Sequence, residues 1–139
     1  MQSWLEAAIR WPTDKARAQS ELSLLTLSFR GTEGWARLPS SRTLVERLDQ
    51  QTHIFRSYFE GTSPDNGYTI PATRTVLVEA VREHEARGVP VTLRSTGADN
   101  PRTVYLRQSE QTGDWVLDSF SSLYVGVRPP KDPDQETFH

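Results

Sequence analysis

The chain has 139 residues, a net charge of −2, 35% hydrophobic residues and 24% charged residues. This length predicts one domain with a single core, and the hydrophobic content excludes a chain that is disordered throughout. The charge is spread evenly along the sequence, which argues against nucleic acid as a partner, and the lack of cysteine excludes disulfides and thiolate redox chemistry.

The sequence also lacks a segment that would cross a membrane. No run of about 20 apolar residues occurs, which is the length that a membrane-spanning helix needs. The N-terminal residues do not follow the signal-peptide pattern, because Glu6 and Arg10 interrupt their apolar residues. We therefore expect a cytoplasmic protein that makes no membrane contact.

The first part of the chain predicts two helices. Apolar residues at helical spacing indicate a short helix before Pro12 and a second helix over residues 14–29, with Thr13 as its N-cap. Trp4 and Trp11 belong to the first of these segments. They either pack the helix onto the rest of the protein or form an exposed patch that binds another protein.

A long helix over residues 42–60 is the clearest predicted element, with Ser41 as its N-cap and Gly61 at its end. The loop before it is expected to attach to the core through Trp35 and Leu38. One face of the helix is mainly apolar and contains Leu44, Leu48, Gln51, Phe55, Tyr58 and Phe59.

Three residues on the other face of this helix have the residue types of a catalytic triad: Asp49, His53 and Ser57. Residues on successive turns of one helix point outward in parallel and do not converge on a substrate. The spacing therefore favours a solvent-exposed helix face over a nucleophilic site.

The second half of the chain changes to the period of β-strands. Alternating apolar and polar residues predict antiparallel strands at residues 89–93, 104–106 and 115–117. Residues 74–87 fit either a strand that ends near Val81, followed by a long hairpin, or a helix that ends at Gly88. We favour the strand. Trp115 begins an alternating strand and is expected in the core.

Helices followed by a four-strand meander predict an α+β fold, with N-terminal helices packed on a curved antiparallel sheet. This element order resembles the NTF2-like and cystatin-like folds. The predicted organisation is a single domain over residues 1–128, with a helical extension at 1–41, the long helix at 42–60, the sheet within 74–125 and a flexible tail at 129–139.

Three sequence motifs carry a closer resemblance. They are YFEGTSPDNGY at residues 58–68, STGADNPR within residues 95–107 and SSLYVGVRP within residues 115–129. Together they resemble the signature of an uncharacterised family of small bacterial domains. The resemblance covers roughly the C-terminal half of the chain. It implies a bacterial origin and a shared fold, and it assigns no catalytic residue.

The loop at residues 97–102 is a candidate recognition site at a hairpin tip. Arg102 could offer a bidentate donor to a carboxylate of a partner protein, next to Asp99. In the alternative reading Asp99 caps its own turn, and Arg102 forms an ion pair with Asp99 or Asp118.

These observations favour a non-enzymatic interaction module: an accessory subunit, an adaptor or an immunity-type protein. The partner would be another protein, a homodimer is compatible with the sequence, and the contact candidates are Trp4, Trp11, Asp99 and Arg102. No Gly-rich phosphate loop and no metal-ligand spacing occurs, so we expect neither a cofactor nor a metal ion. The alternative is an NTF2-like small-molecule-binding or enzymatic domain, with a pocket between sheet and long helix that contains Gln51, Tyr58, Tyr105 and Asp118.

Overall fold

A computed structural model of the protein describes residues 1–29, 35, 41–86, 88–110, 113 and 115–130. The described helices are α1 (Gln2–Arg10), α2 (Lys15–Leu25), α3 (Arg42–Gln50) and α4 (His53–Arg56). The strands are β1 (Val78–Val81), β2 (Val89–Leu93), β3 (Arg102–Gln108) and β4 (Trp115–Ser119). The predicted α+β fold is confirmed. Of the predicted tail, the structure describes only residues 129 and 130.

The four strands form one antiparallel sheet in the order β1-β2-β3-β4. The strand prediction for the segment before Val81 is therefore confirmed. Val91 pairs with Val104, and Leu106 pairs with Leu117, so apolar side chains of neighbouring strands share one face. The helices cover this face, since Leu93, Val104 and Leu117 belong to the same buried cluster as the aromatic residues of α1 and α4.

The N-terminal segment is an integral part of this core. Trp4 is 2% exposed and Trp11 is 3% exposed, so both are core residues and neither forms a surface patch. Each indole also has a hydrogen-bond acceptor: Trp4 Nε1 donates to Thr26 Oγ1 at 2.8 Å, and Trp11 Nε1 donates to Asp49 Oδ1 at 2.8 Å. These bonds remove the cost of burying the N–H groups.

Helix α2 differs in detail from its prediction. Its N-cap is Asp14, whose side chain accepts a hydrogen bond from the Arg17 backbone, and Thr13 lies outside the helix. The helix ends at Leu25 because Thr26 is extended and forms a β-bridge with Leu117. A short 3-10 turn, Leu27–Phe29, follows it.

Between Phe29 and Ser41 the structure describes one residue, Trp35. Trp35 is buried and stacks on Phe29 with ring centroids 4.6 Å apart, which confirms its predicted attachment to the core. Leu38 lies outside the described residues.

The long helix predicted over residues 42–60 is wrong. The chain forms two helices, because Gln51 has non-helical backbone angles of φ −138° and ψ 48°. Ser41 precedes α3 as predicted, but its side chain makes no capping bond and donates instead to the Trp35 carbonyl. After α4 the backbone pairs with the sheet region, since Leu77 N donates to Tyr58 O at 2.9 Å.

Candidate functional site

The three sequence motifs meet at one end of the sheet, where β2 ends and β3 begins. Tyr58 Oη donates to the Leu123 carbonyl at 2.5 Å, and Tyr68 Oη donates to the Arg128 carbonyl at 2.5 Å. Arg128 N in turn donates to Gly97 O at 2.8 Å. We call this hydrogen-bonded region, residues 53–68, 95–102 and 123–128, the signature junction.

Buried hydroxyl groups form part of the signature junction. Ser95 Oγ donates to Ser57 Oγ at 2.7 Å, and Ser57 Oγ donates to Ile54 O at 2.6 Å. Thr62 and Thr96 share a hydrogen bond of 2.8 Å between their Oγ1 atoms. Each hydroxyl therefore hydrogen-bonds to a hydroxyl or carbonyl group. A nucleophilic hydroxyl needs an adjacent base that takes its proton, and none of these partners is one. This arrangement joins chain segments and offers no reacting group.

The candidate triad is dispersed. Asp49 accepts from Trp11, His53 stacks on Tyr68 with ring centroids 5.5 Å apart, and Ser57 is fully buried. The predicted solvent-exposed face is thus wrong for Ser57, because Thr96 N donates to its carbonyl at 2.8 Å and the segment around Thr96 covers it.

Burial lowers the pKa of His53 below its usual value. A hydrogen bond with the Val127 backbone opposes this change and raises the pKa by a smaller amount. Burial also raises the pKa of the Tyr58 hydroxyl, so that this group stays protonated and donates to its carbonyl acceptor.

The loop at residues 97–102 is held in place by bonds other than the ones predicted. Arg102 donates to the carbonyls of Asn100 and Val125, at 2.6 and 2.7 Å, and makes no ion pair with Asp99 or Asp118 in the described part of the chain. Asp99 instead pairs with Arg128 at 2.9 Å. Both terminal nitrogens of Arg102 are thus engaged in closing the hairpin end.

The four residues of the predicted pocket do not come together. Tyr58 lies in the core, and Gln51 lies at the break between α3 and α4. Tyr105 alternates with the core residue Val104 and therefore lies on the far face of the sheet. Asp118 lies where the register between β3 and β4 shifts, and its Oδ2 atom accepts a hydrogen bond from Arg107 Nε at 2.7 Å.

An apolar groove crosses the sheet from Val78, which pairs with Leu93, to Val89 and Trp115 at the other end. It has a volume of about 340 Å³ and is lined by Met1, Val78, Val81, Val89, Val91, Leu106 and Trp115. We call it the sheet groove. Strand alternation places the side chains of its strand residues on the face that the helices cover elsewhere, and Met1, which precedes α1, also lines it.

Three lining residues of the sheet groove are largely open to solvent. Val81 is 64% exposed, Trp115 is 49% exposed and Val78 is 48% exposed. The prediction of Trp115 as a core residue is wrong, although the alternation with Leu117 does place it on the core side of the sheet. The sequence reasoning also missed Val78 and Val81. A usable signal was the apolar run Val76-Leu77-Val78, which leads into β1 and matches the pattern of a buried strand.

A second, smaller depression lies where the Leu27–Phe29 turn meets the end of β4. It has a volume of about 260 Å³, and its polar lining residues are Ser28, Asp118, Ser119, Ser121 and Tyr124. Because Asp118 is already paired with Arg107, the depression has no free carboxylate that could act as a base.

The comparison with known families identifies the chain at the level of its family. The sequence profile of a family described as "Domain of unknown function (DUF6935)" matches residues 1–131. The chain belongs to this family. The match extends the predicted resemblance, because DUF6935 includes the N-terminal residues that the three motifs leave out. No curated protein and no solved structure matches the chain.

The described part of this DUF6935 domain contains no helix long and apolar enough to cross a membrane.

Proposed function

We propose that the protein is a non-enzymatic interaction module, an accessory protein of the bacterial cytoplasm that binds a partner protein through the sheet groove. One observation carries this proposal: an open, wholly apolar surface with Trp115 half exposed at its side. Exposed apolar patches with a tryptophan are typical of protein interfaces, since a partner gains much buried area from one rigid side chain.

The position of the sheet groove on the strands supports this function. Val81, Val91, Leu106 and Trp115 come from four neighbouring strands, so their backbones are held by the ladder. A partner would therefore meet a preorganised surface, which lowers the entropy cost of binding.

Affinity purification from the native host tests the proposal with two matched variants. Val81→Asp places a charge in the sheet groove, and Leu24→Asp places one on α2 at a residue of nearly equal exposure, 61% against 64%. We expect one stoichiometric partner with the unchanged protein and with Leu24→Asp, and its loss with Val81→Asp. Retention of the partner by Val81→Asp would contradict the proposed surface.

A small apolar ligand is the second candidate for the sheet groove. It is supported by the concave apolar lining, and it agrees with the NTF2-like element order that the sequence predicts. Native mass spectrometry of protein purified from the host separates the two functions. A bound mass of a few hundred daltons that Val81→Asp abolishes would favour the ligand, whereas a bare protein mass together with a protein partner would favour the interaction module.

A further inference from the structure

The chemistry of the sheet groove restricts what can occupy it. Its lining consists of apolar side chains, and the strands beneath them already pair with one another. An extended peptide lying across this floor would bury backbone N–H and C=O groups without partners, at a cost for each group. A helix satisfies its backbone internally and presents only side chains to such a surface.

We propose that the partner inserts a basic amphipathic helix into the sheet groove. This inference rests on the proposed function and names the chemistry of the partner element. The helix would lie beside the N-terminal end of α1 and complete the helical layer over the sheet.

The width of the strands that line the sheet groove determines the length of this helix. The sheet groove crosses all four strands of the sheet. With about 4.8 Å between neighbouring strands, its span is about 14 Å. A helix rises about 1.5 Å per residue, so about ten residues, or three turns, cover the floor. The apolar anchors of the partner should therefore follow the i, i+3, i+4, i+7 spacing.

The charge of the surrounding loops determines the sign of the charge expected on the partner helix. Residues 82–88 and 109–114 join the strands at this end of the sheet. Of the described residues in these connections, three are acidic, Glu83, Glu85 and Glu110, and one is an arginine, Arg82.

Several of these carboxylates are available to a partner. Glu79 of β1, Glu83, Glu85 and Glu110 are exposed, and none forms an ion pair within the described residues. The excess of carboxylates complements lysine and arginine on a helix and repels a fatty acid or an anionic lipid.

Photo-crosslinking in the native host tests the inference. Val81→p-benzoylphenylalanine places the crosslinker in the sheet groove, and Leu24→p-benzoylphenylalanine is the control on α2. Mass spectrometry then identifies the crosslinked peptide. We expect the Val81 position to crosslink a protein segment with apolar residues at helical spacing and an excess of lysine and arginine.

Each other outcome overturns a defined part of the account. If Val81 crosslinks a protein segment with strand-like alternation or an acidic excess, the helix inference fails while the proposed function stands. If Val81 crosslinks no protein, or only lipid, both fail. If it crosslinks a second copy of this chain, the occupant is the chain itself and the basic helix is ruled out.

A synthetic peptide of the crosslinked segment gives the second measurement. We expect its circular dichroism to become helical on binding. Glu83→Lys combined with Glu110→Lys should weaken its binding by about tenfold and make the affinity less dependent on salt. An unchanged affinity and salt dependence would remove the charge argument, and a peptide that stays non-helical when bound would overturn the inference.

Discussion

The two ends of the sheet are built in opposite ways. At the signature junction, polar groups are buried and joined by hydrogen bonds, such as Tyr68 Oη to Arg128 O at 2.5 Å. At the sheet groove, apolar side chains face solvent, with Val81 64% exposed. One end has its polar groups satisfied from within the chain, and the other leaves apolar area uncovered.

The three sequence motifs and the surface that is proposed to bind lie in different parts of the sheet. The hydrogen-bonding residues of the three motifs lie at the signature junction, and the motif regions contribute only Leu106 and Trp115 to the sheet groove. Residues of the three motifs therefore hold the chain together at the signature junction. Binding specificity would instead depend on the side chains at the open end and on the loops around it.

The largest expected effect contrasts two tryptophans. Trp4→Ala should lower the free energy of unfolding by about 3–5 kcal/mol, because it removes a buried indole and its hydrogen bond to Thr26. Trp115→Ala should cost about 1 kcal/mol or less, since its side chain is half exposed. Urea denaturation measures both values. Equal losses would mean that the groove end is packed as tightly as the core.

The second prediction tests the packing of the signature junction. A Cβ added at Gly97 would lie 2.1 Å from Tyr68 Oη and 3.0 Å from Val127 Cγ1. Gly97→Ala should therefore destabilise the protein by about 1–3 kcal/mol through overpacking.

Tyr68→Phe provides the control for this prediction. It removes the hydroxyl that a Cβ at Gly97 would strike, so Gly97→Ala should cost less in the Tyr68→Phe protein than in the unchanged one. Additive losses in the double variant would show that the contact with Tyr68 is not the source of the strain.

The third prediction concerns pH. Burial lowers the pKa of His53 in the folded protein, whereas the unfolded value is about 6.5. Above this value the imidazole is neutral in both states. As the pH falls below it, the unfolded chain binds the proton first, so stability decreases until the pH passes the folded pKa.

The measurement compares the unfolding midpoint in urea at about pH 7.5 and about pH 5.5, on either side of the unfolded pKa. His53→Gln keeps a donor for the Val127 carbonyl and does not titrate, so its midpoint should decline less with acid than that of the unchanged protein. The same decline in both proteins would assign the pH dependence to other groups.

The smallest expected effect lies at the surface of the signature junction. Arg128 and Asp99 form an ion pair, but their side chains are 53% and 83% exposed. Asp99→Asn should therefore change stability by less than about 0.5 kcal/mol, and less still at high salt. A larger loss in thermal unfolding would indicate that this pair fixes the loop at residues 97–102.

The sequence predicted the elements of the fold better than it predicted which of their side chains are buried. Alternation in β2, β3 and β4 was sufficient for the sheet, because the two-residue period is a local property. Alternation also placed Trp115 on the correct face. Its exposure could not be predicted, since that depends on which part of the sheet the helices cover, which is a tertiary relationship.

The sequence pattern did not predict the break at Gln51 for a related reason. Apolar residues continue at helical spacing across it, so the pattern predicts one helix where the backbone forms two. Segments distant in sequence then bury Ser57 and engage Arg102, as the bonds from Thr96 N and to Val125 O show. Contacts of this kind are set by the packed fold and leave no periodic signal.

The bond from Tyr58 to Leu123 also bears on how the protein folds during synthesis. It joins residues 65 positions apart, and Trp4 packs against Phe120 with ring centroids 5.8 Å apart. Tyr58 and Trp4 therefore receive these partners only after residues 120–123 have left the ribosome. Such distant pairings slow folding and prolong the exposure of apolar surface. Until those residues are made, the nascent helical half exposes apolar side chains that the complete fold buries.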